Sequence, residues 1–157
     1  MNSLRRLAES ILVAAVLCFS EGCASHTDLI AQGRVTLEAR FDTLLRQPPR
    51  VSEDEGNLVV DGRLNRSPRD LGWYVDVSVI APDGATIYDT RVNYRAGVVA
   101  KSGTPTPRRG SFRSVPTRHG SHGVYSVTFP GLPPDGSVVR VSLHAPDTVS
   151  ALMEMAP

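Results

Sequence analysis

Cysteine is nearly absent from this 157-residue chain, which contains only Cys18 and Cys23. Cys18 lies inside an apolar N-terminal run with the properties of a removable leader, so Cys23 is the sole cysteine expected in the mature chain. A single cysteine excludes an internal disulfide and a cysteine-based zinc site, and no thiol nucleophile is expected. The remaining chain is long enough for one domain that must be stabilised by its hydrophobic core alone.

Long apolar runs and catalytic motifs are also missing. The apolar run at residues 11–19 has nine residues, whereas a membrane-spanning helix needs about 20. No nucleophile-elbow glycine pattern, phosphate-binding loop or catalytic pair of carboxylates occurs. We therefore expect neither a membrane-spanning mature chain nor an enzyme, and we expect no cofactor.

The N-terminus has the features of an export signal. Arg5 and Arg6 precede the apolar run at residues 11–19, and Gly22 and Cys23 follow it. This arrangement resembles a bacterial lipoprotein signal. In that family a small residue precedes a cysteine that is lipidated and becomes the mature N-terminus.

The resemblance implies a specific location. Residues 1–22 would be removed, and Cys23 would attach the protein to a membrane through its lipid. Ala24 after the cysteine implies an outer-membrane lipoprotein that faces the periplasm. An unpaired thiol is unusual in an oxidising compartment, which also favours a modified Cys23. Ordinary signal-peptidase cleavage after Ala24, which would release a soluble periplasmic protein, is the alternative.

Residues 73–94 have the most regular strand pattern in the chain. Apolar and polar side chains alternate over 73–80 and again over 86–94, and a Pro-Asp-Gly turn signal at 82–84 separates the two runs. This pattern predicts a β-hairpin. Because the hairpin contains the only tryptophan, Trp73, and three of the four tyrosines, we expect it to nucleate the core with Trp73 largely buried.

Further alternating segments predict additional strands. They lie at residues 34–41, 58–64, 124–129 and 139–143. Over 58–64, Asp61 and Arg63 are expected to point outward. Over 34–41 a helix is the alternative, because the apolar residues between 37 and 45 also have helical spacing.

These patterns predict one all-β domain over residues 34–145. Short strands separated by turn signals are typical of a single antiparallel β-sandwich of immunoglobulin or fibronectin-III type. The pattern resembles the small immunoglobulin-like domains that bacteria export, although no motif identifies one family. We interpret residues 23–33 as a tether and residues 146–157 as a C-terminal tail.

Charge is distributed unevenly along the chain. Residues 23–90 contain seven arginines and eleven acidic residues, whereas residues 91–157 contain eight basic and three acidic residues. The basic part centres on residues 95–122, which we interpret as a flexible loop because of its glycines and prolines, with a short edge strand at Phe112 and Val115. Lipid headgroups or an acidic envelope protein could bind there, through Arg108, Arg109, Arg113 and Arg118. The expected export excludes nucleic acid as a partner, and a solvated loop without a partner is the alternative.

Three histidines give a second hypothesis. His119 and His122 are three residues apart in a glycine-rich segment, and His144 lies at the end of a predicted strand. Imidazole is a good ligand for copper and zinc, so these residues are candidate metal ligands, with solvated histidines as the alternative. The sequence therefore predicts a lipid-anchored cell-envelope β-sandwich that acts by binding or structural contacts, not by catalysis. The alternative function is a periplasmic module that binds copper or zinc.

Overall fold

The computed structural model describes residues 26–40, 47–65, 72–101, 103–118 and 120–144. Within these ranges the chain forms ten β-strands and no helix, and hence no helix that could cross a membrane. The leader, Cys23, His119 and the predicted tail lie outside the described residues. The strands are β1 Thr27–Asp28, β2 Val35–Arg40, β3 Arg50–Asp54, β4 Asn57–Arg63, β5 Tyr74–Ile80, β6 Thr86–Asn93, β7 Gly97–Ala100, β8 Arg109–Thr117, β9 Gly120–Phe129 and β10 Ser137–His144.

The strands form two five-stranded sheets. Sheet 1 has the strand order β1-β3-β4-β9-β8, and sheet 2 has the order β2-β10-β5-β6-β7. Neighbouring strands are antiparallel except β2 and β10, which pair in parallel. Both sheets contribute buried side chains to one hydrophobic core. The prediction of an all-β sandwich is confirmed.

The type of sandwich stays a prediction, because one edge of sheet 2 is unusual. The order β3-β4-β9-β8 opposite β10-β5-β6-β7 follows strands A-B-E-D opposite F-C-C′-C″ of immunoglobulin variable domains. In those domains the strand beside F is the C-terminal strand G. Here the N-terminal strand β2 lies beside β10 and runs parallel to it.

The core is filled by alternating side chains from both sheets. β5 buries Val75, Val77 and Val79, as its period of two predicts. Trp73, predicted to be largely buried, is only partly buried, because it precedes the first residue of β5. The largest buried side chains are instead Tyr94, Phe112, Tyr125 and Phe129.

The predicted hairpin and the first long strand are both present. β5 and β6 pair antiparallel, and the N–H of Ala81 donates to the carbonyl of Ala85 at 2.8 Å. Gly84 has a φ of +87° in the turn, a conformation that glycine adopts without steric cost. Residues 35–40 form β2, so the strand prediction is confirmed and the helical alternative is wrong for these residues.

The interpretation of residues 23–33 as a tether is wrong for their described part. Leu29 belongs to the core with only 1% of its surface exposed, and its N–H donates to the carbonyl of Val51 at 3.0 Å. The carboxylate of Asp28 accepts hydrogen bonds from two N–H groups of the following turn, at 2.9 and 3.0 Å. Leu29 and these hydrogen bonds hold the segment on the domain, although half of residues 26–33 are polar.

The interpretation of residues 95–122 as a flexible loop is also wrong, whereas the edge strand predicted at Phe112 and Val115 is confirmed as part of β8. This range contains β7, β8 and the start of β9, and β8 pairs with β9 over nine residue pairs. β8 lies at the edge of sheet 1 and buries only Phe112, so its sequence lacks the apolar alternation that identifies a strand. The irregular segment between β7 and β8 is held by Thr104, whose hydroxyl donates to the carbonyl of Asp89 at 2.9 Å.

Candidate functional site

The outer face of sheet 1 is rich in arginine because its strands alternate between core and solvent. β4 places Leu58 and Val60 in the core, which turns Val59, Asp61 and Arg63 to the other face of the sheet, where Val59 is nevertheless buried. The neighbouring strands alternate in the same way. They place on this face Arg50 and Ser52 of β3, Arg109, Ser111 and Arg113 of β8, and Val124, Ser126 and Thr128 of β9.

The strand register arranges these side chains in three rows across the sheet. The rows are Asp28, Ser52, Val59, Thr128 and Arg109; Arg50, Asp61, Ser126 and Ser111; and Arg63, Val124 and Arg113. Cβ atoms of directly opposite residues are about 5 Å apart, so the rows form one continuous surface. We call this surface the arginine face.

Two shallow cavities lie on the arginine face. The first has a volume of about 240 Å³ and is lined by Arg50 and Arg63. The second has a volume of about 440 Å³ and is lined by Arg109, by Asp54 and by the hydroxyl residues of β8 and β9. Asp61 lines both cavities. The face therefore combines guanidinium groups, hydroxyl groups and carboxylates in a concave surface.

The charged groups of this face are not paired with one another. Among the described residues, no ion pair is formed by Asp61 or by any of the four exposed arginines, which are Arg50, Arg63, Arg109 and Arg113. Asp61 does act on the core, since burial raises the pKa of the Tyr125 phenol and the Asp61 charge raises it further. Four arginines against three aspartates, which are Asp61, Asp54 and Asp28 of β1, leave the face with a net charge of +1.

The outer face of sheet 2 is also charged, but its charges are paired. Asp76 accepts two hydrogen bonds from Arg91, at 3.0 and 3.2 Å, and the Nζ atom of Lys101 lies 3.4 Å from the same carboxylate. Such exposed pairs each contribute at most about 1 kcal/mol to stability. They nevertheless neutralise one another, and among the described side chains of this face Lys101 also pairs with Asp89 at 3.1 Å and Arg140 with Glu38 at 2.9 Å.

The candidate metal ligands lie on different sheets. His144 belongs to the paired face of sheet 2, where its ring stacks on Tyr74 with the ring centroids 4.7 Å apart. His122 belongs to sheet 1, and its Nδ1 atom lies 3.3 Å from the carbonyl oxygen of Asn65. The described ranges contain no group of three His, Cys, Asp or Glu residues that could hold a metal ion. Because His119 is outside those ranges, the metal site stays a prediction.

The structure separates the four arginines predicted to contact an anionic surface. Arg109 and Arg113 are both on the arginine face, four residues apart on β8. Arg108 is exposed just before β8, and Arg118 is exposed in the turn between β8 and β9. Only the first two therefore share the face with the cavities.

Arg50 and Arg63 were not predicted from the sequence to belong to this site. Both lie in the acidic half of the chain, where local net charge gives no reason to select them. The alternation of residues 58–64 did turn Arg63 outward. Predicting that Arg63 lies near the arginines of β8 requires the strand order of sheet 1, and the alternation within one strand gives no information on strand order.

Comparisons with known proteins identify no relative of this chain. No protein-family model matches it, and it has no significant match among curated proteins or solved structures. Its function is therefore argued from its own residues.

Proposed function

We propose that this protein is a lipid-anchored component of the cell envelope that binds an anionic partner through the arginine face and does not act by catalysis. The observation that carries the proposal is the difference between the two outer faces. The described charged side chains on the outer face of sheet 2 are paired, whereas four arginines of sheet 1 have no ion-pair partner within the described chain. Guanidinium groups without an ion-pair partner within the domain are suited to charge-assisted hydrogen bonds with the carboxylate or phosphate groups of another molecule.

The rigidity of the sheet supports a binding role. β3, β4, β9 and β8 hold the arginines on continuous antiparallel pairing, so no loop has to be ordered before a partner binds. The lipid proposed at Cys23 would keep this surface at the membrane. Each buried methylene of an acyl chain contributes about 0.8 kcal/mol, and attachment becomes durable with more than one chain.

The anchor is tested by metabolic labelling. We expect labelled palmitate to enter the wild-type protein and the Cys18→Ser variant, because Cys18 leaves with the leader, but not the Cys23→Ser variant. The protein and the Cys18→Ser control should also fractionate with membranes. An unlabelled wild-type protein whose mature N-terminus is Ser25 would contradict the anchor and indicate a free periplasmic domain.

The binding surface is tested by photo-crosslinking in cells. A photoreactive amino acid at Ser111, which is exposed on the arginine face, is expected to capture a partner. The same amino acid at Thr86, which is exposed on sheet 2, is the matched control and should capture little. Equal crosslinking from both positions, or none from Ser111, would contradict a binding role for this face.

A further inference from the structure

The chain leads toward its proposed anchor from the arginine face itself. His26, the first described residue, lines the cavity of about 440 Å³ together with Arg109 and Asp61. Cys23 is three residues earlier, and three residues span at most about 11 Å. A lipid on Cys23 would therefore enter the bilayer close to this face.

We propose that the arginine face docks onto the anionic phospholipid surface of the membrane in which Cys23 is anchored. This inference rests on the proposed function and names its partner. Two independent observations converge on it. The arginines lack ion-pair partners within the described chain, and the chain segment that leads to the lipidation site leaves the domain at the same face.

Phospholipid headgroups match the chemistry of this surface. A guanidinium group binds phosphate oxygens in a bidentate geometry, and four of them are spread over a sheet about 14 Å wide between β3 and β8. Arginines separated in this way can contact several headgroups at once, whereas one small anion would reach only some of them. The paired face of sheet 2 would then point away from the membrane, toward the periplasm.

An acyl anchor and a basic surface reinforce one another. The anchor removes most of the translational freedom that docking would otherwise cost, so weak headgroup contacts become sufficient to orient the domain. The Lys101–Asp76 and Arg140–Glu38 pairs leave the opposite face without a comparable attraction. One orientation of the domain on the membrane is therefore favoured.

Vesicle sedimentation tests the docking separately from the lipid. The exported chain carrying Cys23→Ser is mixed with vesicles of phosphatidylcholine alone or of phosphatidylcholine with phosphatidylglycerol. We expect partitioning to rise about fivefold with phosphatidylglycerol, since each basic residue at an anionic surface contributes about fivefold and the three aspartates of the face offset three of its four arginines. Salt at about 1 M should abolish the increase, because charges are then screened within about 3 Å.

Matched variants separate the face from net charge. Arg63→Gln and Arg109→Gln should each lower partitioning about fivefold, whereas Arg140→Gln on sheet 2, with the same change in net charge, should have a smaller effect. Asp61→Asn removes a negative charge from the docking face and should raise partitioning by a similar factor. Circular dichroism of each variant confirms that the sheet content is unchanged.

Three results would overturn the inference. They are partitioning that does not depend on phosphatidylglycerol, equal losses for Arg109→Gln and Arg140→Gln, or weaker binding of Asp61→Asn. The last would indicate a ligand that donates hydrogen bonds to Asp61. If the protein does not bind the anionic vesicles but the photoreactive residue at position 111 still crosslinks to a protein in cells, the lipid inference is wrong and the proposed function stands. If the protein neither binds the vesicles nor crosslinks from position 111, the proposed function is wrong as well.

Discussion

Replacing Phe112 with alanine is expected to lower the free energy of unfolding by about 3–5 kcal/mol. The side chain is only 2% exposed, although it lies in β8, an edge strand with few apolar residues. Its ring packs edge-to-face on Tyr94, with centroids 5.2 Å apart, and on Tyr125, with centroids 6.3 Å apart. Truncation would leave a cavity between two aromatic rings, one from β9 of sheet 1 and one from the turn that follows β6 of sheet 2.

Urea denaturation monitored by circular dichroism measures this loss. Arg113→Ala is the control, because Arg113 is one position along the same strand but points outward and is exposed. Its unfolding free energy should stay within about 0.5 kcal/mol of wild type. A Phe112→Ala protein as stable as the control would show that residues 109–117 are not packed as a strand.

Gly62→Ala is expected to destabilise the protein by about 3 kcal/mol, at the upper end of the cost of overpacking a core. In most strands this substitution would stabilise slightly, because alanine has less conformational freedom to lose than glycine. Here Gly62 is directly opposite Tyr125, and a Cβ atom at this position would overlap the tyrosine ring. Tyr125 is fully buried, so its ring cannot move aside without repacking the core.

A double-mutant cycle separates the ring contact from a backbone effect. In a Tyr125→Val background the ring is absent, so Gly62→Ala should cost little or become stabilising. The coupling free energy between the two positions should then be about 2–3 kcal/mol. An equal cost of Gly62→Ala in both backgrounds would show that the backbone, and not the ring, requires glycine.

The strands that the sequence predicted well are those with a buried stripe. β5 and β6 are the two strands of the predicted hairpin. Their side chains alternate between more buried and less buried positions along each strand, because one face of each strand contacts the core. β4, β9 and β10 follow the same rule. Alternation with a period of two can be recognised within the sequence of one strand, so it predicts a strand without any information on the neighbouring strands.

Edge strands were predicted poorly for the same reason. β8 buries one residue, and β7 has no buried residue, so neither has a stripe to detect. Their arginines, glycines and prolines resemble a loop in composition. Backbone hydrogen bonds hold β8 beside β9 and β7 beside β6. Because these bonds are made by the main chain, they do not require particular side chains and cannot be detected from residue types.

By itself the sequence determined the all-β class and the inward face of the strands that have a buried stripe. Only the tertiary structure decided that β2 pairs in parallel with β10 and that Arg50 and Arg63 lie beside the arginines of β8. Alternation assigns a side chain to one face of its own strand. Which strands become neighbours, and in which register, depends on contacts between residues far apart in the chain, and these contacts brought the unpaired arginines together on one surface.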